Sequence, residues 1–457
     1  MPGAKCHPIF GHALQVINPD VTLTTLIDWR NKYGSRLKLI LGYSAYLLFL
    51  THPEDIEKVV NSHALIEKGS NYDFILPWLG YGLLIQGREK WFNRRRLLTP
   101  AFHFKILESF QQVFDEQSAI LVRIMKEKLE AMEAIEIHSL FSLCALDIIS
   151  ETAMGKKLNC QRESTPYVEA VLRQSQFIYK RWVTPWLQND FIWSISPIGR
   201  RGKANLKLLH DFTENVIRER KQKYAWAKAE KSVENQPDDN DNMESIYFSK
   251  KQRFAFLDLL INIQESSDNE LTDANIREET DTFMFEGHDT TAAGFTWSMY
   301  LLAKNPEHQA LVHKELDEIF GSDTHRSITT KDLPKMKYLD LCIKEALRLY
   351  PSVPMFSRKV KEEFRLDSQT MVPPGVDIAM SPWLTHRDPN IYPEPDKFLP
   401  SRHTPENSSG RHPYAYIPFS AGLRNCIGQR HDMIFCREIN VALVGSNCGL
   451  EKAKMAC

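Results

Sequence analysis

The sequence predicts a mainly α-helical fold with small β-sheets, and three observations lead to this class. Apolar residues recur at spacings of three and four from about residue 51 to 225, which is typical of amphipathic helices. A second helical pattern, which we expect to be the longest in the chain, runs from residue 271 to 306. After Pro351 the sequence changes to short β-like runs separated by Pro and Gly turns, such as "MVPPGVDIAM".

The composition is that of an ordinary globular protein. Of the 457 residues, 43% are hydrophobic and 25% are charged. Lys and Arg together number 57 against 58 for Asp and Glu, so no basic excess indicates a nucleic-acid partner. The eight cysteines form no CxxC pair, and a chain of this size can bury a core without disulfides. We therefore expect reduced thiols.

The first 50 residues predict a hairpin and no membrane-spanning helix. No stretch reaches the roughly 18 apolar residues that a spanning helix needs. In "LKLILGYSAYLLFL", residues 37 to 50, Gly42, Tyr43 and Ser44 interrupt the apolar run as a turn would, which predicts two buried strands. The beginning, "MPGAKCHPIFG", lacks the apolar segment of a signal peptide. The sequence as written predicts a soluble or peripheral protein.

Boundaries are marked most clearly in the second half of the chain. Residues 231 to 250 are polar, acidic and interrupted by a proline, and they predict an exposed loop. The long helical pattern has Thr272 and Asp273 as N-cap candidates and ends at Asn305, because the proline that follows cannot extend the preceding helix. A helix of more than thirty residues must cross the middle of a large domain. The segments "PEHQALVHKELDEIFG" and "YLDLCIKEALRLYP" predict two further helices.

A polar segment interrupts the long helical pattern at "FEGHDTT". Glu286, Asp289 and Thr290 are spaced at i, i+3 and i+4, so their side chains project from one face. One interpretation is a solvated polar stripe. However, the surrounding residues are apolar, and burying two carboxylates and a hydroxyl without partners is costly. The alternative interpretation is a proton-delivery notch beside a buried reactive centre.

Near the end of the chain, "FSAGLRNCIGQRHDM" contains one cysteine between two glycines. Gly422 permits a tight backbone, and Gly428 permits a close approach after the cysteine. Arg424 supplies a cation that could meet an acidic cofactor group. Cys426 precedes a helix-like run, whose N-terminal dipole stabilises a thiolate. The cysteine is either a small packed thiol or the axial ligand of haem iron.

These motifs together resemble those of the cytochromes P-450. Phe419-x-x-Gly422-x-Arg424-x-Cys426-x-Gly428 is similar to the family's haem-binding loop. The FEGHDTT segment, Glu345-x-x-Arg348 and Trp91-x-x-x-Arg95 are similar to three further landmarks in the family's order. "EETDTFMFEGHDTT" resembles the fourth P-450 family, which includes fatty-acid ω-hydroxylases. The resemblance covers about residues 2 to 430. Any one of these motifs alone is weak, but four in order are specific.

The resemblance implies a cytochrome P-450 fold with a long central helix over the haem. It implies a single domain over residues 1–457. Its parts would be an N-terminal β-rich part at about 30–60, a helical core at about 85–350, the haem-binding loop at 419–428 and an atypical tail at 431–457.

The resemblance also implies a role for each matched residue. Cys426 would be the thiolate ligand of haem iron, and Thr290 with Asp289 would bring protons to the reacting oxygen. Glu286 lies where many members of the fourth family form an ester between a glutamate and a haem methyl. The residues expected to bind haem, mostly by holding its propionates, are Trp91, Arg95, Arg358, Phe419 and Arg424.

A second set of matched residues is expected to be structural. Taken alone, Glu345 and Arg348 would be a common surface salt bridge, worth a fraction of a kcal/mol. With Arg402 in "FLPSR" they would form a buried network beneath the haem-binding loop.

The implied activity is that of a haem-thiolate monooxygenase. It would insert one atom of O2 into a C–H bond of an apolar substrate, a fatty acid, a related lipid or a xenobiotic. Electrons would come from NADPH through NADPH–cytochrome P-450 reductase, with cytochrome b5 as a further candidate partner. The expected location is the cytosolic face of the endoplasmic reticulum membrane, although the family's N-terminal apolar anchor is absent from this sequence. Arg94 to Arg96 indicate either a basic docking face for the reductase or plain solvated arginines.

The sequence departs from the family pattern near its C-terminus. Leu423 replaces a usual proline. After Arg430 the family helix has phenylalanine, alanine and then a glutamate, whereas this chain has His431, Asp432 and Phe435. The aspartate would bring a second anion towards the thiolate, which is unfavourable. The apolar pattern is lost at about residues 445 and 446, and the family's terminal strands have no counterpart.

These departures leave other interpretations open. A shifted reading frame in the last exon or a true truncated isoform would each explain the tail. The alternative function is a truncated, non-catalytic P-450-like haem-binding protein that lacks the end of the substrate pocket. An unrelated zinc or nucleotide enzyme is disfavoured, because no HExxH, Walker loop or complete GxGxxG occurs.

Overall fold

The computed structural model describes residues 3–41, 45–163, 166–233, 255–266, 271–321, 326, 328–329 and 331–445. Helices dominate the described chain and strands are few, so the predicted class, mainly α with small β-sheets, is confirmed.

The helices before residue 234 are, in order, α1 (Ala13–Val16), α2 (Pro19–Tyr33), α3 (Pro53–Val60), α4 (Leu76–Leu79), α5 (Arg88–Leu98), α6 (Phe104–Ser109), α7 (Gln111–Glu130), α8 (Ile137–Met154), α9 (Pro166–Val183), α10 (Asp190–Ile195) and α11 (Pro197–Val233). Those that follow are α12 (Phe256–Ser266), α13 (Asp273–Lys304), α14 (Pro306–Phe320), α15 (Lys337–Leu349), α16 (Pro382–Thr385), α17 (Pro405–Ser408) and α18 (Gln429–Gly445). Short 3₁₀ turns join several of them, including one at Gly422–Arg424.

The larger sheet combines two strands from the first 50 residues with two strands from the region after residue 355. Its four strands lie in the order β1 (Arg36–Leu41), β2 (Ala45–Leu50), β6 (Asp377–Met380) and β3 (Phe356–Lys359). β1 and β2 are antiparallel, as the predicted hairpin requires, whereas the predicted turn at residues 42–44 lies outside the described residues. β2 pairs with β6 in parallel, and β3 is antiparallel to β6. A separate ribbon contains β4 (Phe364–Arg365) and β5 (Met371–Val372).

The central helix α13 begins at the predicted position. The Thr272 hydroxyl accepts a hydrogen bond from the Asn275 backbone N–H, and the Asn275 side chain accepts one from the Thr272 N–H, which completes a capping box. The helix ends before Pro306, as predicted, and its 32 residues span about 48 Å. It packs most extensively against α8. Both helices contribute apolar side chains to the largest core, including Phe141 and Phe295, so α13 is held by burial along its length.

Two features of the helices differ from the prediction. α13 is not the longest helix, because α11 has 37 residues. α11 also continues through residues 231 to 233, where we predicted a loop, while residues 234–250 of that segment lie outside the described part of the chain. Residues 226–233, "WAKAEKSV", include Ala, Lys and Glu, which have high helix propensity even where no apolar stripe continues.

One described helix, α8, is long and apolar enough to cross a membrane by length and composition alone. In this fold 72% of it is buried inside the protein, where Phe141 and Leu146 are fully covered.

Candidate active site

A cavity of ≈ 440 Å³ lies between the middle of α13, the cysteine loop and the start of α18. Of the nine residues predicted to act at the site, eight line this cavity and are listed here in chain order: Trp91, Arg95, Glu286, Asp289, Thr290, Phe419, Arg424 and Cys426. The ninth, Arg358, is buried just outside the lining, beside Tyr72, which does line the cavity. Residues more than 300 positions apart in sequence therefore meet in one chamber.

The cysteine loop is a tight structure fixed by backbone contacts. The Cys426 N–H donates to the Phe419 carbonyl at 3.0 Å, which closes the loop on itself. Gly422 has a φ of 66°, and a Cβ there would stand 2.3 Å from the Val60 carbonyl oxygen. Only glycine accepts that conformation and that approach without strain. Gly428, by contrast, has open space beside the sulfur, since a Cβ there would meet nothing closer than Cys426 Sγ at 3.9 Å.

The surroundings of Cys426 oppose ionisation of the free thiol. Burial raises its pKa well above the usual range, and the nearby carboxylates of Asp432 and Glu286 raise it further. A backbone hydrogen bond at Gly428 and the charge of Arg95 act in the opposite direction. A metal cation at the sulfur would reverse this balance, because coordination deprotonates a thiol outright.

Arg424 ties the cysteine loop to a distant part of the chain. Its guanidinium donates to the carbonyl of Ile66 at 2.8 Å and to those of Leu83 and Leu84 at 3.0 and 2.8 Å. The group also lies over the ring of Trp91, 4.9 Å from its centroid. Burial lowers the pKa of Arg424 to about 9. Arg424 thus holds the cysteine loop against these backbone carbonyls, and it also places a basic group at the cavity.

Arg95 and Arg358 differ in how much of their donor capacity is used. Arg95 on α5 donates to the backbone and side-chain oxygens of Asn425, at 2.8 and 3.0 Å, and so fixes the residue before the cysteine. Arg358 on β3 is 1% exposed, and one of its Nη atoms donates to the Ser357 carbonyl at 3.1 Å. Its other Nη has no hydrogen-bond partner among the described residues. Burial lowers the pKa of Arg358 to about 10.

Lys68 is a site residue that the sequence reasoning missed. It lines the cavity, pairs with Arg358 in an isolated antiparallel bridge, and places its Nζ 4.7 Å from the centroid of the Tyr72 ring. Burial lowers its pKa well below the usual range, and the charges of Arg358 and Arg424 lower it further. Three basic side chains, Lys68, Arg358 and Arg424, thus lie close enough to lower one another's pKa, and one Nη of Arg358 has no hydrogen-bond partner among the described residues. This arrangement fits an acidic group such as the propionates of haem.

Residues of α13 also line the cavity. All three members of the predicted face, Glu286, Asp289 and Thr290, line the cavity, so the prediction that they share a face is confirmed. The Thr290 hydroxyl donates to the Glu286 carbonyl at 2.8 Å. Its proton is therefore committed within the helix, and its oxygen remains able to accept one. Burial raises the pKa of Glu286 to about 7, against the opposing charges of Lys68 and Arg424.

The network around Glu345 lies outside the cavity lining. Arg348 donates to Glu345 at 2.8 and 2.9 Å, and Arg402 Nε lies 3.4 Å from the same carboxylate. His403, which the sequence reasoning did not single out, lies 3.0 Å from it, and the Leu399 N–H donates to it at 2.9 Å. Glu345 and Arg348 are fully buried, so the surface salt-bridge interpretation is wrong and the buried network is confirmed.

The two interpretations of the arginine run both fail for Arg94. This residue is 9% exposed and its Nε lies 3.6 Å from the buried carboxylate of Glu279 on α13. Arg96 is exposed, and Arg95 faces the cysteine loop. Successive residues on a helix point about 100° apart, so three consecutive arginines cannot share one face.

One cysteine loop thus faces a long helix across a cavity, which is the arrangement that the resemblance to haem-thiolate enzymes implies. The sequence model of the family described as Cytochrome P450 matches residues 1–431, and the chain belongs to this family. It is 45% identical to cytochrome P450 4V2 of Mus musculus over 93% of this chain and 80% of that protein.

Two other relatives are similar to the chain to the same extent. Cytochrome P450 4V2 of Homo sapiens is 44% identical, covering 93% of this chain and 80% of the relative. Cytochrome P450 4c3 of Drosophila melanogaster is 42% identical, covering 94% of this chain and 80% of the relative. The resemblance to the fourth P450 family is thereby confirmed. The chain is a cytochrome P450 monooxygenase, and the family implies a haem cofactor held by a thiolate.

Proposed function

We propose that the protein inserts one atom of O2 into a C–H bond of a fatty acid, a related lipid or an apolar xenobiotic. The observation that supports this most is the shared cavity, in which Cys426 and the α13 residues Glu286, Asp289 and Thr290 meet. The overall reaction consumes O2, two electrons and two protons, and it yields the hydroxylated product and one water. NADPH would supply the electrons.

The cofactor fits the cavity as follows. Cys426 would hold the iron, and Arg95, Arg358 and Arg424, with Lys68 added, would face the propionates. Trp91 would help to position the Arg424 guanidinium, which stacks on its ring. Phe419, whose carbonyl receives the Cys426 N–H, would pack beside the ligand sulfur. When bound, a haem held by the Cys426 thiolate would supply the activation of O2.

The protein's own residues would control where protons go. Thr290 Oγ1, which donates to the Glu286 carbonyl, would accept a hydrogen bond from a donor on the Asp289 side and so hold a proton source beside the reacting oxygen. The walls around this notch are apolar and include Phe102, Phe283 and Phe285. Apolar walls exclude bulk water and favour a hydrocarbon substrate. We infer that Asp289 and Thr290 restrict proton supply to a defined route.

We further propose that the enzyme acts at a membrane surface and takes electrons from a reductase. Trp186, Phe191 and Ile195 are exposed by 51%, 71% and 57% around the short helix α10, and Phe10 packs near Trp186. A patch of large apolar side chains is the kind of surface that enters the interfacial region of a bilayer. The patch supports attachment to a membrane surface, and the cytosolic face of the endoplasmic reticulum membrane is the location that we propose. NADPH–cytochrome P450 reductase, with cytochrome b5 as a second candidate donor, would dock near exposed Arg96.

The experiment that tests the proposal is a carbon monoxide difference spectrum. The expressed chain is loaded with haem, reduced and exposed to carbon monoxide. We expect a strongly red-shifted Soret band in the wild type and none in Cys426→Ala. As a matched control, Cys342→Ala removes a buried cysteine that does not line the cavity and should retain the band.

The outcomes separate the two functions considered. A red-shifted band with NADPH- and reductase-dependent hydroxylation of a long-chain fatty acid supports the monooxygenase. A band without hydroxylation of any apolar substrate tested supports a non-catalytic haem-binding protein. A band that persists in Cys426→Ala contradicts the assignment of the iron ligand, and no haem retention in the wild type contradicts both.

A further inference from the structure

The carboxylate of Asp432 is held in a defined position by contacts with α13 and the cysteine loop. The residue lies in the first turn of α18, and its Oδ1 accepts a hydrogen bond from the Thr291 hydroxyl of α13 at 3.0 Å. Its backbone N–H donates to the Gly428 carbonyl at 2.9 Å. The side chain is 15% exposed and lines the same cavity as Cys426. The carboxylate is thus fixed rather than solvated.

The carboxylate and the cysteine sulfur are close neighbours. A Cβ placed on Gly428 would stand 3.9 Å from Cys426 Sγ and 4.0 Å from Asp432 Oδ1. The two atoms therefore lie within the sum of these distances, which is no more than about one Debye length at physiological ionic strength. Because both groups are largely buried, salt and water weaken their interaction little.

Groups of both signs face the sulfur besides Asp432. Glu286 adds a second carboxylate on the α13 side, and the basic side chains of Arg95 and Lys68 also interact with the sulfur. Arg95 already donates to both oxygens of Asn425. His431 Nδ1 lies 3.4 Å from Asp432 Oδ1 and contributes a polar contact to it. Because the Asp432 carboxylate is held in place by Thr291 and lies near the sulfur, removing its charge changes the electrostatic potential at Cys426.

We propose that Asp432 is a positioning residue whose carboxylate, anchored by Thr291, lowers the reduction potential of haem iron through the Cys426 ligand. The inference rests on the proposed function, since it requires haem bound at Cys426. A fixed negative charge stabilises the ferric state over the ferrous state, because the oxidised centre carries one more positive charge. The first electron from the donor would then be accepted less readily, unless substrate binding changes the site.

The test is an equilibrium redox titration of the purified haem-loaded protein. Reduction adds one electron to the centre, supplied by dithionite through dye mediators, and no bond forms or breaks. Asp432→Asn removes the charge but keeps an oxygen that can accept from Thr291. We expect its reduction equilibrium constant to rise at least tenfold, which is a positive shift of 59 mV or more for a one-electron couple.

Two further variants distinguish charge from packing. Asp432→Glu keeps the charge and should keep the wild-type potential to within threefold in the equilibrium constant, whereas Asp432→Ala should shift it in the same direction as Asp432→Asn. The matched control is Asp340→Asn. Asp340 lies on α15 and pairs with Arg437 of α18, the helix that carries Asp432, but it does not line the cavity. This substitution should leave the potential unchanged.

The outcomes are distinct from those of the proposed function. An unchanged potential in both Asp432→Asn and Asp432→Ala, with a normal carbon monoxide band, overturns the inference and leaves the monooxygenase intact. An equal shift in Asp340→Asn also overturns it, because the effect would then be one of net charge alone. Should Asp432→Asn fail to retain haem, Asp432→Glu against Asp432→Ala supplies the same comparison.

Discussion

The carboxylate of Glu345 accepts two hydrogen bonds from Arg348, at 2.8 and 2.9 Å, and neither side chain is exposed to solvent. Arg348 also donates to the carbonyls of His386 and Pro395 at 2.8 and 2.7 Å, and to that of Lys397 at 3.1 Å. The pair therefore fastens α15 to the segment that leads into the cysteine loop. Its function is to hold the chain behind the ligand in place.

Glu345→Gln should destabilise the fold strongly. The substitution leaves the Arg348 charge buried without its counter-ion, which costs about 3–5 kcal/mol. We expect a lower melting temperature and reduced haem retention, measured by thermal denaturation and by haem absorbance after gel filtration. Lys128→Ala removes an exposed partner of Glu133 and should leave both measurements unchanged. An equal loss in both variants would contradict a special contribution from the buried pair.

Thr290→Ala should separate electron consumption from product formation. The variant loses the hydroxyl that lines the cavity, while Cys426 and the cation cluster are untouched. We expect a normal carbon monoxide band and a rate of product formation lower by roughly 10²-fold, as is typical for loss of a positioned proton donor. The measurements are product and hydrogen peroxide formed per NADPH consumed.

The control for this prediction is Thr296→Ala. Thr296 makes the same bond to the carbonyl four residues earlier in α13, at 2.8 Å, but it does not line the cavity. It should retain wild-type coupling. Equal uncoupling in the two variants would mean that a bend in α13, rather than the Thr290 hydroxyl, controls the protons.

Arg358→Met should have opposite effects on the haem-free and haem-loaded protein. In the haem-free chain it removes a buried guanidinium with one Nη that has no partner in the described part of the chain, so the melting temperature should stay equal or rise. In the haem-loaded protein it removes a charge-assisted hydrogen bond of about 1.5–3 kcal/mol, so haem should be lost to apomyoglobin roughly 10- to 100-fold faster. Arg365→Met, at an exposed position in β4, is the control. Destabilisation of both forms by Arg358→Met would indicate that Arg358 is structural.

Glu286 should become esterified to haem during turnover. The step would join a carboxylate oxygen to a haem methyl carbon while that methyl loses a proton and two electrons, with NADPH and O2 driving the oxidation. We expect a fraction of haem that resists acid–solvent extraction after turnover and is absent from Glu286→Gln. Complete extraction of haem from active wild-type protein would contradict the ester.

Asp281 should make stability depend on pH. Burial raises its pKa to about 7, although Thr213 and Arg277 donate to it at 2.6 and 3.0 Å. His210 lies 3.8 Å away, and Glu214 adds a repulsive charge. The folded state binds the proton more tightly than the unfolded state. The stability that this protonation contributes is therefore fully present below about pH 4 and is lost as the pH rises to about 7. Over that range the free energy of unfolding falls by up to about 1.4 kcal/mol per pH unit.

Asp281→Asn tests this dependence, because asparagine keeps an acceptor for Thr213 but does not titrate. Its melting temperature should fall less than that of the wild type between pH 5 and 7.5. Asp273→Asn is the comparison, since hydrogen bonding to Lys221 lowers the pKa of Asp273 instead. If the melting temperature of Asp281→Asn falls with pH as steeply as that of the wild type, other buried carboxylates cause the pH dependence of stability.

Much of the fold and site could be predicted because the signals are local. The Cys426 loop, the α13 face and the Glu345–Arg348 pair each fall within a few turns of chain, where spacing determines geometry. The position of Lys68 in the site could not be predicted in this way, because it depends on a bridge to Arg358, 290 residues later in the chain. Arg94 was misread for a related reason. Its burial depends on Glu279 of a distant helix, and no local pattern reports that partner.

The contacts of Arg424 have a consequence for how the protein is made. Its guanidinium is anchored to the carbonyls of Ile66, Leu83 and Leu84, which are translated some 340 to 358 residues earlier. These bonds cannot form until position 424 has emerged from the ribosome, and β2 likewise waits for β6 to pair. Early segments must therefore remain soluble with an unfinished edge while synthesis continues. Capture of a prosthetic group at Cys426 would consequently wait until both the early and the late segments of the site have been synthesised.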